Sequence, residues 1–71
     1  MKTFKLKADY ITLGQFLKAT DYIGSGGEAK FFLLDHECLV NGVITKERGK
    51  KIYPNDTVKI KKTVFIIEHD S

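Results

Sequence analysis

Near the N-terminus Phe4 and Leu6 alternate with Thr3, Lys5 and Lys7, the period-two pattern of a short strand that turns one side to a core. The period changes at Thr12. Thr12-Leu13-Gly14-Gln15 has the spacing of a capping box, and Leu13, Phe16 and Leu17 follow at i, i+3 and i+4, so a helix with one apolar stripe is predicted from here. The stripe fades at Thr20-Asp21. Gly24-Ser25-Gly26-Gly27 then interrupts the chain, and Ser25 with Glu28 offers a second capping box at the head of another amphipathic run. In that second helix Ala29, Phe32, Leu33 and His36 share a face, which leaves Phe31 partly exposed.

The second half of the chain reads as strands. Asn41-Gly42 stands between Cys38-Leu39-Val40 and Val43-Ile44-Thr45, a strong hairpin signal because both residues accept the positive φ of a type I′ turn. Thr45 to Lys51 is too polar to bury. A short strand begins at Ile52, Pro54-Asn55-Asp56 has turn chemistry, Thr57 to Ile60 turns Val58 and Ile60 inward, and Thr63 to Glu68 forms a last strand placed to pair with the first. No internal repeat or low-complexity segment appears.

With 71 residues there is material for a single domain, 1–71, and for one small core. The apolar runs Phe31–Leu34 and Val64–Ile67 fall far short of the roughly 20 residues a membrane helix needs. The first seven residues lack the apolar stretch of a secretory signal, and a lone cysteine, Cys38, excludes an internal disulfide; a cytoplasmic protein is expected. The net charge of +3 is uninformative until it is placed along the chain. Between residues 40 and 62, Lys46, Arg48, Lys50, Lys51, Lys59, Lys61 and Lys62 face only Glu47 and Asp56, a local net charge of +5. Concentrated positive charge is the footprint of a polyanion partner, although lysine-rich loops also serve solubility.

The candidate chemistry is thin. His36 and Cys38 lie close together, but a structural zinc takes four ligands and the chain has two histidines and one cysteine, so no metal and no cofactor is expected. The imidazole of His36 suits the negative end of its helix, and Cys38 suits a small core position. Ser25 has no histidine nearby in sequence and Cys38 has no evident activating neighbour, so no enzyme is expected. The glycine-rich turn before the second helix can present backbone amides to one phosphate, but it lacks the Gly-Lys-Ser or Gly-Lys-Thr of a nucleotide-binding loop. The sharper signal is Lys46-Glu47-Arg48-Gly49-Lys50-Lys51, four cations in six residues attached to a hairpin, with Gly49 allowing close backbone approach. Only Tyr10, Tyr22, Phe31 and Tyr53 are free for base stacking, so recognition of shape and phosphate is favoured over base reading.

The order of these parts resembles a known family. A capped helix, a Ser25-led second helix containing Ala29, then Leu39-Val40-Asn41-Gly42-Val43-Ile44 and a basic loop ending in Pro54-Asn55-Asp56-Thr57-Val58 are similar to the RNA-binding domain named after small-subunit ribosomal protein S-four, the alpha-L RNA-binding motif. The resemblance runs over about residues 12–60. Ser25-Gly26-Gly27-Glu28-Ala29-Lys30 with the basic loop is similar to the short stand-alone bacterial members of the YaaA and YbcJ type. It implies an α+β fold, two helices packed on a small, mostly antiparallel sheet, which binds structured RNA without doing chemistry. The residues implied at the RNA face are Ser25, Gly26, Gly27 and Lys30 from the second helix and its leading turn, and Lys46, Arg48, Lys50 and Lys51 from the loop. Three positions depart from the family pattern: Gly26 where an arginine is common, His36 where a glycine commonly ends the second helix, and Asn55 where a glycine usually precedes the aspartate of the turn. Asn55 can adopt the same left-handed conformation.

The function expected is non-enzymatic binding of structured RNA by a monomer, with ribosomal RNA or an assembly intermediate preferred over transfer RNA, ribosomal particles as the setting and no membrane partner. The competing expectation is a protein-interaction module built on an apolar patch of Phe31, Leu34 and Tyr53.

Overall fold

The computed structural model describes residues 1–70. The elements run β1 (Lys2–Leu6), β2 (Ile11–Thr12), α1 (Leu13–Ala19), a 3-10 turn (Gly26–Glu28), α2 (Ala29–Asp35), β3 (Cys38–Val40), β4 (Val43–Ile44), β5 (Lys51–Ile52), β6 (Thr57–Ile60) and β7 (Thr63–His69). Five strands form one sheet in the order β1-β7-β6-β3-β4, and β2 pairs with β5 in a separate two-stranded ribbon. The fold is therefore α+β, two helices against a mostly antiparallel sheet. The first and last strands do pair, but in parallel, with Phe4 opposite Ile67. A parallel pair needs a long crossover, and here nearly the whole chain supplies it.

Alternation places Leu6, Phe65, Ile67, Val58, Ile60, Cys38 and Val40 in the core, with the half-buried Phe4 packed against it. The helices add Leu13, Phe16, Leu17, Ala29 and Leu33, all fully buried. Phe16 sits at the centre, its ring edge-on to Phe4 at 4.9 Å and to Phe65 at 5.2 Å. Thr3, Lys5, Leu39, Lys59, Val64 and Ile66 occupy the alternate parity and are exposed or half-buried.

The predicted hairpin and turn have their expected dihedrals. Asn41 and Gly42 have φ of 52° and 81°, the pair of positive values that type I′ requires. Asp56 N–H donates to the Tyr53 carbonyl at 3.0 Å across Pro54 and Asn55, and Asn55 has φ of 78°. Proline followed by a left-handed residue is the type II pattern, so Asn55 does the work of a glycine. The turn between β6 and β7, with Lys61 at φ 56°, carries no comparable signal in sequence.

The first capping box forms as read: Gln15 N–H donates to Thr12 Oγ1, and Thr12 N–H donates to Gln15 Oε1. The second does not. Ser25 makes no side-chain bond to a helix amide; its hydroxyl donates to Glu28 Oε2 at 3.2 Å, and Gly24 N–H donates to the same oxygen at 3.0 Å. The opening turn is 3-10, which places Glu28 under the preceding loop instead of opposite the Ser25 amide.

Candidate nucleic-acid interface

A helix begins with amides that lack intrahelical partners, and in α1 the basic loop supplies two of them. Leu13 N–H donates to the Lys50 carbonyl and Gly14 N–H to the Arg48 carbonyl, both at 2.8 Å, while Thr12 and Gln15 satisfy one another. The loop is thereby pinned by its backbone, and the β2–β5 ribbon continues the attachment by pairing Thr12 with Lys51 and Ile11 with Ile52. Gly14 lies directly against the loop. A β-carbon there would lie 3.4 Å from the Arg48 carbonyl oxygen, 3.5 Å from Arg48 Cβ and 3.6 Å from Ala29 Cβ. Gly14 is thus bracketed by the basic loop on one side and the first residue of α2 on the other, which brings together the two segments that sequence separates by some twenty residues.

Around this junction Ser25, Gly26, Gly27, Lys30, Arg48, Lys50 and Lys51 are all exposed. Side chains at Gly26, Gly27 or Gly49 would meet nothing within 4 Å, so the backbone there is open to an incoming group. Arg48 and Lys50 spend their carbonyls on α1 and make no ion pair among the described residues, which leaves their cationic ends for a ligand. Lys46 is different: its ammonium donates to the Leu33 carbonyl at 3.2 Å, at the C-terminal end of α2. That is the helix-end cation expected of His36, whose ring instead packs on Phe32 at 4.6 Å. Lys59 lies on the side of the sheet away from the helices, and Lys61 stands 5.7 Å above the Phe32 ring, so the second group of lysines does not simply extend the loop.

A family model described as the S4 domain matches residues 4–68. The chain belongs to the S4 domain family. The match is wider than the segment that carries the resemblance in sequence and takes in both β1 and β7. The chain is also similar to a Bacillus subtilis (strain 168) protein named "Probable ribosome maturation protein RlbA", with 53% identity over 55 residues, 78% of each chain.

In this S4 domain the aromatic residues divide into two groups. Tyr22 is half-buried and packs against Phe32 and Phe65 at 5.7 and 6.4 Å, which removes it from the stacking candidates. Tyr10 and Tyr53 are exposed and adjacent, with ring centroids 5.9 Å apart and Lys51 Nζ 4.9 Å over the Tyr10 ring. Tyr53 lines a surface groove with Val43 and Ile44, and Phe31 and Leu34 are exposed on α2. Nothing in the sequence pattern joins Tyr10 to Tyr53, because the pair depends on the β2–β5 ribbon.

Cys38 is buried, and desolvation pushes its thiol above the ordinary value, partly offset by the nearby Lys46 ammonium. A thiol held protonated is a poor nucleophile. Among the described residues no group of three or more His, Cys, Asp or Glu side chains could hold a metal, and no helix is long and apolar enough to cross a membrane.

Proposed function

We propose that this protein binds structured RNA, ribosomal RNA or a ribosome-assembly intermediate, through the loop Lys46–Lys51 and the start of α2, as a cytoplasmic monomer that does no chemistry of its own. The observation that carries the reading is the docking of the Arg48 and Lys50 carbonyls onto the first amides of α1, which turns the most basic stretch of the chain into a fixed surface beside Ala29 and Lys30. A cation on a loop whose main chain is fixed before binding loses less conformational entropy on contact than one on a mobile tail. Family membership and the ribosome maturation name of the Bacillus subtilis relative support RNA as the partner and ribosome maturation as the process. Arg48, Lys50, Lys51 and Lys30 are assigned to phosphates, the Ser25–Gly27 amides to one more, and Lys46 to a smaller share because its ammonium is already engaged at Leu33.

Fluorescence anisotropy with labelled ribosomal RNA fragments and matched duplex DNA, at several salt concentrations, tests this. Neutralising about five phosphates gives a slope of log affinity against log salt of roughly −3.5 to −4.5. A folded variant carrying Lys46→Ala, Arg48→Ala, Lys50→Ala and Lys51→Ala is expected to lose binding, and Lys46→Gln alone to flatten the slope less than Lys50→Gln. No binding at low salt, or unchanged binding by the fourfold variant, overturns the proposal and turns attention to Phe31 and Leu34, exposed on α2, as a protein-docking surface.

A further inference from the structure

Beside the basic loop lies an open groove of about 430 Å³ that phosphate contacts alone leave unused. Val40, Val43 and Ile44 supply its apolar lining, Tyr53 an aromatic one, and Lys50 and Lys51 belong to the same lining. Val43 and Ile44 are 68% and 53% exposed although they sit in a strand, so folding itself leaves them largely in water. The edge of β4 is open as well. Thr45 N–H donates to the Cys38 carbonyl and Asn41 N–H to the Thr57 carbonyl, so along β3 the groups of Cys38 and Val40 point to β4 and those of Leu39 and Asn41 to β6. Ile44 is opposite Leu39 and therefore forms a non-hydrogen-bonded pair, with its own N–H and C=O directed away from β3. Tyr53 is held in place: its N–H donates to Asp56 Oδ2 at 2.8 Å, Asp56 Oδ1 accepts from Asn41 Nδ2 at 3.0 Å, and Tyr10, which does not line the groove, packs against the ring.

We infer that this groove takes one unpaired nucleotide of the bound RNA, its base stacked on Tyr53 over Val43 and Ile44, its flanking phosphates on Lys50 and Lys51, and its polar edge within reach of the free Ile44 main chain. The inference rests on the RNA-binding reading above and extends it from shape recognition to selection of a bulge or loop. A single nucleotide fits better than an apolar peptide because the lining combines a π-face with two cations of the +5 segment, and any base can stack on such a face. The volume exceeds what a base alone fills, leaving room for its ribose; of the two acidic lining residues, Asp56 has both oxygens occupied within the fold, and Glu47 is outnumbered by Lys50 and Lys51 in the same lining.

The test uses three fluorescein-labelled RNA hairpins of equal phosphate count: fully paired, with a single bulged adenosine, and with an abasic site at the bulge. Wild type is expected to prefer the bulged adenosine over both others by about five- to 150-fold, the range that base–aromatic stacking supports. Tyr53→Phe should keep the preference. Tyr53→Leu, which retains apolar area without a π-face, should abolish it while leaving affinity for the fully paired hairpin and its salt slope unchanged. A 2-aminopurine at the bulge should change fluorescence on adding wild type and not on adding the leucine variant. Salt-dependent binding of all three hairpins with equal affinity, or a preference that survives Tyr53→Leu, overturns the nucleotide site while leaving the RNA-binding proposal standing. Failure of every hairpin and every ribosomal fragment to bind overturns both.

Discussion

Asn41 joins the hairpin to the Asp56 turn, and its replacement gives a worked test of how this small fold is held. Its backbone is left-handed at φ 52°; its Oδ1 accepts from Thr57 N–H at 2.9 Å, and its Nδ2 donates to Asp56 Oδ1 at 3.0 Å. In Asn41→Ala these two bonds are lost, at about 0.5–1.5 kcal/mol each for a site open to water, together with a long third bond from Thr57 Oγ1 to the same Oδ1 at 3.4 Å that adds little. Alanine also carries the left-handed penalty, about 1–2 kcal/mol, most of which asparagine avoids. The expected loss is about 2–4 kcal/mol. Asn41→Gly removes the bonds and keeps the conformation, so it should cost about 1–3 kcal/mol and leave a gap of about 1 kcal/mol between the two variants. For a domain of this size each kcal/mol moves Tm by about 4–8 °C, so Asn41→Ala should melt at least about 8 °C below wild type. Urea titration followed by circular dichroism gives both values, and a cycle with Asp56→Ala isolates the Asn41–Asp56 bond. Asn41→Ala within about 0.5 kcal/mol of wild type would mean that the Asn41 side chain does not hold the hairpin to the turn, and no difference between the alanine and glycine variants would mean that the left-handed backbone carries no penalty there.

Two further outcomes follow from single contacts. Thr12→Ala removes the side-chain half of the one complete capping box and should cost about 1 kcal/mol by urea titration, without moving the Arg48 and Lys50 carbonyls from α1. Burial raises the Cys38 thiol above its unfolded value, so its proton contributes stability in full below the unfolded value of about 8.5, and this contribution falls as pH climbs toward the folded value. Urea midpoints measured between about pH 7.5 and 10 should therefore decline for wild type and decline less for Cys38→Ala, and a thiol reagent should label the native protein far more slowly than the unfolded chain.

The local features of this fold were legible from residues alone. Thr12 and Gln15 lie within one side-chain reach of each other, Asn41-Gly42 satisfies its own dihedral requirement, Asn55 can replace a glycine in its turn, and alternation is enough to send Val58 and Ile60 inward. Each depends on preferences spanning about four residues or fewer, so each leaves a signature in the string. The basic loop was also visible, because charge is a property of residue type. Its rigidity was not. Arg48 and Lys50 hold α1 through their carbonyls, and a main-chain carbonyl is the same in every residue, so no composition announces the bond.

The same reason separates the second capping box from the first. Ser25 and Glu28 had the right spacing, but the 3-10 turn and the loop above it redirected Glu28 to Gly24. Lys46 takes the helix end that His36 was expected to hold because the loop after the hairpin returns to α2 at that point. The parallel pairing of β1 with β7, the β2–β5 ribbon and the Tyr10–Tyr53 pair all join positions about forty or more residues apart. Residue types and their spacing are enough for the two helices, most of the strands, the Asn41-Gly42 and Pro54-Asn55 turns and the place where positive charge is concentrated. Which distant segments meet is settled by the packing of one shared core around Phe16 and by backbone bonds that carry no residue-specific code.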